Sequence, residues 1–407
     1  MIFLSDNTEN NVPLTDGEVT AHTASMWRYT PVPEAPEPFP EYKELCEKYS
    51  DYSVTAARVR GKKHKHDGSN CDDWFEAAEI GGWIVAAVSD GAGSKRFSRI
   101  GAKAACTSFV NEVRDNFLAA GQTDGLSEKL SLSLDSPDFI SACTKLTEIM
   151  QTAFIHASEA VEREFENRKG NPEFTSDGEM KLSDFACTLV TCSVIPLDNG
   201  EQLSIAIQAG DGMVCSVSTD EPYGSALTLL GIPDSGDFSG ETEFLTSAKM
   251  HTPAAVQSRT KLRRSKRSAV MLMSDGVADD YFPNSPKMLN LYLDLMMNGI
   301  IPKPSGKPST EIIPDIQPNS WVNDKDVSYA IAYSEGTAEK SGISMEKLWD
   351  MKAYLPDPPE SEGSLSGLSG NPAEKLCRWL DVYLKRGSFD DRTLMVILPE
   401  KAGDANG

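Results

Sequence analysis

Two Ser-Asp-Gly triplets, Ser89-Asp90-Gly91 and Ser274-Asp275-Gly276, each end an apolar run, in "WIVAAVSDGAGSKR" and "AVMLMSDGVADD". A carboxylate at the end of a buried strand is a hard oxygen donor, and a glycine beside it lets the backbone approach closely enough for a carbonyl to ligate as well. A second inference comes from Gly81-Gly82, which reads as a two-residue hairpin loop. Asp73 and Asp90 lie eight residues from their own sides of that loop, so they face each other at its open end. Directly opposed residues have Cβ atoms about 4.5–5.5 Å apart and like charges there destabilise, so a cation is expected between them. With no histidine or thiolate cluster at the pair, these carboxylates suit Mg²⁺ or Mn²⁺ rather than zinc.

Further acidic strand ends join the set: Gly210-Asp211-Gly212, Asp279 shortly after Asp275, and Asp390-Asp391 in "FDDRTLMVI". Asp-Gly is also a common turn dipeptide. At Asp211 a plain hairpin, strand then Asp-Gly then strand, stands beside the metal reading.

The elements that must position these residues follow from periodicity. Strands are expected at "YSVTAARVRG", on both sides of Gly81-Gly82, and at "FACTLVTCSVI", "QLSIAIQAG", "MVCSVS", "SAVMLMS" and "TLMVILP". Apolar residues at three- and four-residue steps predict helices over 101–121 and 137–168, with two more near 338–354 and 372–386. Short β connections favour antiparallel pairing. Residues 1–50, which include "PVPEAPEPFPEYKE", read as a proline-rich acidic tail or linker, with order beginning near Tyr52. Residues 51–400 read as one domain with a long insertion at about 281–371, and 401–407 as a tail.

Bulk properties exclude several partners. A net charge of −22 repels nucleic acid and anionic membranes, and no stretch approaches the length of a membrane span. The N-terminus lacks the pattern of a signal peptide, so a cytoplasmic location is expected. The eight scattered cysteines, without a Cys-x-x-Cys pair, fit reduced core residues.

In order along the chain, "VSDGAGS", "ACTLVTC", "GDG", "MSDGVADD" and "DDRTLMVIL" resemble the motif series of the PPM family of metal-dependent protein phosphatases, the type 2C serine/threonine enzymes. "GKKHKHDGSNCDDWFEA" and "GETEFLTS" are similar to its bacterial subclass, which carries a Gly-x-x-His element. The resemblance implies an α+β fold, an α/β/β/α sandwich of two antiparallel sheets flanked by helix pairs. It implies two Mn²⁺ or Mg²⁺ ions and a looser third. Asp90 resembles the carboxylate that bridges both metals and Gly91 the carbonyl ligand of one. Asp275 and Asp390 resemble further ligands, Asp73 the holder of metal-bound water, and Asp72 a position often glutamate or glutamine. Asp211 and Asp279 resemble the ligands of the third ion. The implied reaction is hydrolysis of phosphoserine or phosphothreonine in a protein substrate, opposing a kinase, by a hydroxide shared between two cations.

The chain departs from the family at two places. An arginine that grips phosphate in many members is Gly68 here, and a histidine two residues after the bridging aspartate is Ala92. Phosphate contact then falls to His64, Lys95, Arg96 or Arg60, with Arg58, Lys65 and His66 nearby. A general acid would be His64 or His66, unless metal-bound water suffices. The strip "KLRRSKR" (261–267) reads as a solvated loop, with docking of acidic peptides as the alternative. The rival function is a catalytically weak or inactive module that keeps the fold and binds phosphoproteins.

Overall fold

The computed structural model describes residues 28–302 and 370–400, with interruptions, the longest at 120–124, 235–242, 282–287 and 383–388. Its strands are β1 (Tyr42–Lys48), β2 (Tyr52–Val59), β3 (Trp74–Ile80), β4 (Trp83–Ser89), β5 (Leu189–Pro196), β6 (Gln202–Ala209), β7 (Met213–Val217), β8 (Leu227–Leu229), β9 (Thr260–Ser265), β10 (Ala269–Met273) and β11 (Arg392–Pro399). The helices that matter below are α1 (Lys62–Asp67), α2 (Ser98–Ala119), α3 (Pro137–Arg168), α4 (Asp275–Ala278) and α5 (Pro372–Val382). One sheet runs β1-β2-β11-β10-β7-β8 and the other β3-β4-β5-β6-β9, with antiparallel pairing throughout.

Each central strand is buried on both faces, which is why its sequence is a continuous apolar run rather than an alternation. In β4, Val85 and Ala87 pack under α2 and α3, while Ile84, Ala86 and Val88 fill the space between the sheets. In β10, Val270 and Leu272 face that inner space, and Ala269, Met271 and Met273 face the opposite side, with Leu376 and Leu380 of α5. Helical residues at 288, 289, 291, 292 and 295 are buried in the same outer cluster. The layers are therefore helix, sheet, sheet, helix. No helix among the described residues is long and apolar enough to cross a membrane.

The Gly81-Gly82 turn has φ of 61° and 86°, the double positive φ of a two-residue type I′ hairpin. Pairing runs from Ile80↔Trp83 to Trp74↔Ser89, so the next opposed pair is Asp73 and Asp90.

Four expectations need correction. Order does not begin near Tyr52, because residues 42–48 form β1 on the edge of the larger sheet. The proline-rich stretch before it is docked: Phe39 is buried against Trp74, Arg99 donates to the Pro36 and Glu37 carbonyls, and Arg168 grips the Glu37 carboxylate. These contacts were hidden because proline density reports backbone stiffness, not what the stiff segment lies against. The strand-Asp-Gly-strand around Asp211 is not a hairpin, since β6 and β7 belong to different sheets. The strip from Lys261 is strand, not loop, with 260–265 paired to β6. The basic "KKHKHD" is helix α1, which buries His64. The helix expected near 338–354 lies outside the described residues. All eight cysteines are free thiols, and six of them are buried.

Candidate metal centre and active site

Strand ends from both sheets meet at one edge of the sandwich. The β3–β4 hairpin brings Asp73 and Asp90, the β6–β7 crossover brings Asp211, and the end of β10 brings Asp275 on the first turn of α4. Asp90, Asp211 and Asp275 each offer a carboxylate oxygen, and these oxygens lie within 4.8 Å of one another. The three Asp-Gly pairs share a packing cause. A Cβ on Gly91 would sit 2.5 Å from the Asp72 carbonyl oxygen, one on Gly212 2.7 Å from that of Met273, and one on Gly276 1.9 Å from that of Asp391. Each glycine thus lets its strand end press against the backbone of another strand end.

Asp73 is fully buried, and its Oδ2 accepts hydrogen bonds from the hydroxyls of Ser274 (2.8 Å) and Thr393 (2.7 Å). Its Oδ1 is buried with no hydrogen-bond donor. Burial, followed by the charges of Asp275 and Asp73, pushes the Asp90 carboxyl well above the usual range. Burial and then Asp211 push Asp275 up to about 8. Asp279 is raised by burial and by Asp211, which places it at the rim of the same cluster. Asp390 is exposed, and its charge acts on Asp90, Asp275 and His64. The group is an accumulation of carboxylates in which, among the described residues, neither Asp90 nor Asp275 forms an ion pair.

Asp72 and Asp391 belong to a second group. Asp391 is buried, accepts from the backbone N–H of Gly61 (2.6 Å) and Asp72 (2.5 Å), and holds His64 Nδ1 at 2.8 Å. Burial would raise its carboxyl, but His64 and the two N–H donors hold it below the usual range. Burial alone would lower His64; Asp391, Asp72 and Asp390 outweigh it and raise the imidazole to about 9. The other ring nitrogen, Nε2, lies 4.0 Å from an Asp72 oxygen and 3.7 Å from where a Cβ on Gly93 would be, in the loop that follows Asp90. Three ligand-type atoms also converge in this group. Here, however, three N–H groups already bind the Asp391 carboxylate, one of them orienting the His64 ring through Nδ1.

Sequence reasoning placed Asp391 only as one half of an acidic pair. Its task, and those of Ser274, Thr393 and Thr188, which accepts from the Asp90 N–H at 2.9 Å, were not identified. The signal for Thr393 and Ser274 was a polar residue within an otherwise apolar strand end.

The candidate phosphate contacts divide sharply. Arg60 is fully buried, paired to Glu41 at 2.8 Å and donating to the Thr30 and His64 carbonyls, so it braces α1 and is not available to a substrate. Arg96 is paired with Asp184 at 3.0 Å. Lys65 is paired with Asp381, Arg58 is buried over the Trp74 ring, and exposed His66 receives the Arg28 N–H. Lys95, in the loop after Asp90, makes no ion pair among the described residues. Gly68 has a φ of 76°, a left-handed backbone that strains any residue with a side chain, and a Cβ there would lie 2.8 Å from the Thr30 methyl.

The solved structures similar to this chain include the catalytic domain of the serine/threonine protein phosphatase PstP with two manganese ions, at 12% identity over 86% of this chain and 99% of that one, TM-score 0.39. The S. agalactiae serine/threonine phosphatase is similar at 12% identity over 86% and 100%, TM-score 0.39. The phosphatase MsPP from Mycobacterium smegmatis, solved with cacodylate, is similar at 14% identity over 86% and 99%, TM-score 0.33. No curated protein matches the chain. The family model for protein phosphatase 2C matches residues 60–300, more than half of the sequence, and this chain therefore belongs to the protein phosphatase 2C family.

Proposed function

We propose that the protein is a Mn²⁺- or Mg²⁺-dependent phosphatase that hydrolyses phosphoserine or phosphothreonine in proteins. The observation that carries this reading is the meeting of Asp90, Asp211 and Asp275 within 4.8 Å, with the buried Asp73 carboxyl within hydrogen-bonding reach of Asp90. Such a donor set, all oxygen, fits a hard divalent cation, whose binding would displace the protons that the raised Asp90 and Asp275 carboxyls otherwise hold.

In this reading Asp90, the Gly91 carbonyl, Asp275 and Asp390 hold two ions, with Asp73 beside them. Asp211 and Asp279 hold a looser third. Bound there, the cations supply Lewis acidity and neutralise charge on the transferring phosphoryl group. The chain does the rest. Ser274 and Thr393 fix Asp73 in a single orientation. Asp391 fixes the His64 ring through Nδ1, so that the Nε2 proton is the one presented at the Asp90 loop, where it can be given to the leaving serine or threonine oxygen. Lys95 supplies the phosphate with a positive charge not committed to another residue. Asp72 stays with His64 rather than with the ions.

The domain extends from about residue 28 to 400, with 281–371 as an insertion, and acts in the cytoplasm against a serine/threonine kinase. One observation favours the rival, a phosphoprotein-binding module of low activity: the position of the family's phosphate-gripping arginine is Gly68, at a φ of 76° that arginine rarely adopts. The two are separated by measuring Mn²⁺-dependent hydrolysis of a phosphothreonine peptide by wild type, Asp90→Asn and Asp275→Asn. Metal-stimulated turnover lost in both variants supports the enzyme. A folded wild-type protein that binds the peptide without turnover supports the module.

A further inference from the structure

The basic strip at 261–267 has no part in the site just described. Its residues up to Ser265 form β9, the outermost strand of the smaller sheet, paired with β6 alone. Among the described residues, no backbone hydrogen bond joins 261–265 to anything but β6. An edge strand presents every second N–H and C=O outward, and lysine on an edge is a common guard against aggregation.

Three observations go beyond a guard. The seven residues Lys261 to Arg267 hold five cations in a chain whose net charge is −22. Arg264 is committed, to Glu201 at 2.7 Å and to the Leu132 carbonyl, whereas Lys261 and Arg263 are exposed and make no ion pair among the described residues. Arg267 lies near enough to Arg263 for that charge to lower its proton affinity, after burial as the larger cause and against Glu221, which raises it.

The two exposed cations share a face by strand alternation, opposite Ala206 and Ser204 of β6. Leu262 lies on the other face, opposite Ile205, and is 41% exposed. We propose that β9 is a docking edge for an acidic, extended segment of a partner protein, which adds to the sheet as a further strand. Acidic side chains at alternate positions would lie beside Lys261 and Arg263, and apolar ones beside Leu262. A backbone edge asks for another polypeptide, because nucleic acid and lipid have no strand with which to pair its outward N–H and C=O groups. Thr260 pairs with Ile207, at the end of β6 that leads into Asp211. A docked segment would run from that end along about 20 Å of edge, at about 3.3 Å per residue.

The test is fluorescence anisotropy on the full chain with a labelled nine-residue peptide alternating glutamate and valine. The double variant K261E/R263E, altered only at exposed side chains, is expected to keep its circular dichroism and melting temperature but bind at least tenfold more weakly. It should gain binding to the same peptide with lysine in place of glutamate. Methylating one alternate set of peptide amides should abolish binding, and methylating the other should not. Four results would overturn the proposal: no binding by wild type, insensitivity to both methylated sets, equally tight and equally charge-sensitive binding of oligothymidylate or phosphatidylserine vesicles, or a dimer in sedimentation that K261E/R263E dissolves.

Discussion

Two acidic groups lie side by side at the edge of the sandwich, and they have opposite solutions to the same problem. In the first, Asp275 raises the proton affinity of Asp90 and Asp211 raises that of Asp275, and among the described residues no lysine, arginine or histidine forms an ion pair with Asp90 or Asp275. In the second, Asp391 is buried more deeply yet is held below the usual carboxylate range, because His64 and two backbone N–H groups answer it. A group that carries its own cation is finished by folding. A group that lacks one must take up protons or bind an ion from outside. Carboxylates alone are thus a poor guide to a metal site, and the absence of protein donors around them is the informative part.

Consequences can be ordered by size. Asp90→Asn or Asp275→Asn should reduce Mn²⁺-dependent turnover on the order of 100- to 1,000-fold, the scale of losing one preorganised charge-stabilising contact, measured with a phosphothreonine peptide. The same variants should raise the melting temperature of metal-free protein, since each removes a repelling charge; a lower value would show that the first group is compensated after all. Next comes the second group. His64→Gln should reduce turnover on the order of 100-fold, the lower range of general acid catalysis, with metal affinity by calorimetry unchanged. If metal affinity falls with it, the two groups are not distinct. Ser274→Ala or Thr393→Val should weaken Mn²⁺ binding by roughly 10-fold, as loss of a residue that orients a ligand does. The smallest effect is thermal: Mn²⁺ at 100 times its Kd should stabilise wild type by about 2.7 kcal/mol, and EDTA should reverse it.

How much of this was legible in the sequence depended on how local the cause was. The hairpin and its opposed Asp73 and Asp90 follow from counting residues around Gly81-Gly82, because a two-residue turn fixes register. The long helices followed from periodicity over many turns, and α3 spans the expected 137–168. What could not be read was set by partners distant in the chain. Arg60 looked like a phosphate ligand until Glu41 and Thr30 were seen to hold it. Asp72, placed by family resemblance where relatives often carry glutamate or glutamine, has a carboxylate oxygen 4.0 Å from His64 Nε2, in the group that includes Asp391. The crossover at Asp211 was ambiguous for the same reason: two strands joined by Asp-Gly do not announce which sheet each will join.

The central claim, that the first group is a metal centre and the second is not, is tested most directly by calorimetric titration of Mn²⁺ into the full metal-free chain and its Asp90→Asn and His64→Gln variants. The account predicts at least two ions for wild type, the same number for His64→Gln, and loss of the tight sites in Asp90→Asn. Equal stoichiometry and affinity in wild type and Asp90→Asn would contradict it.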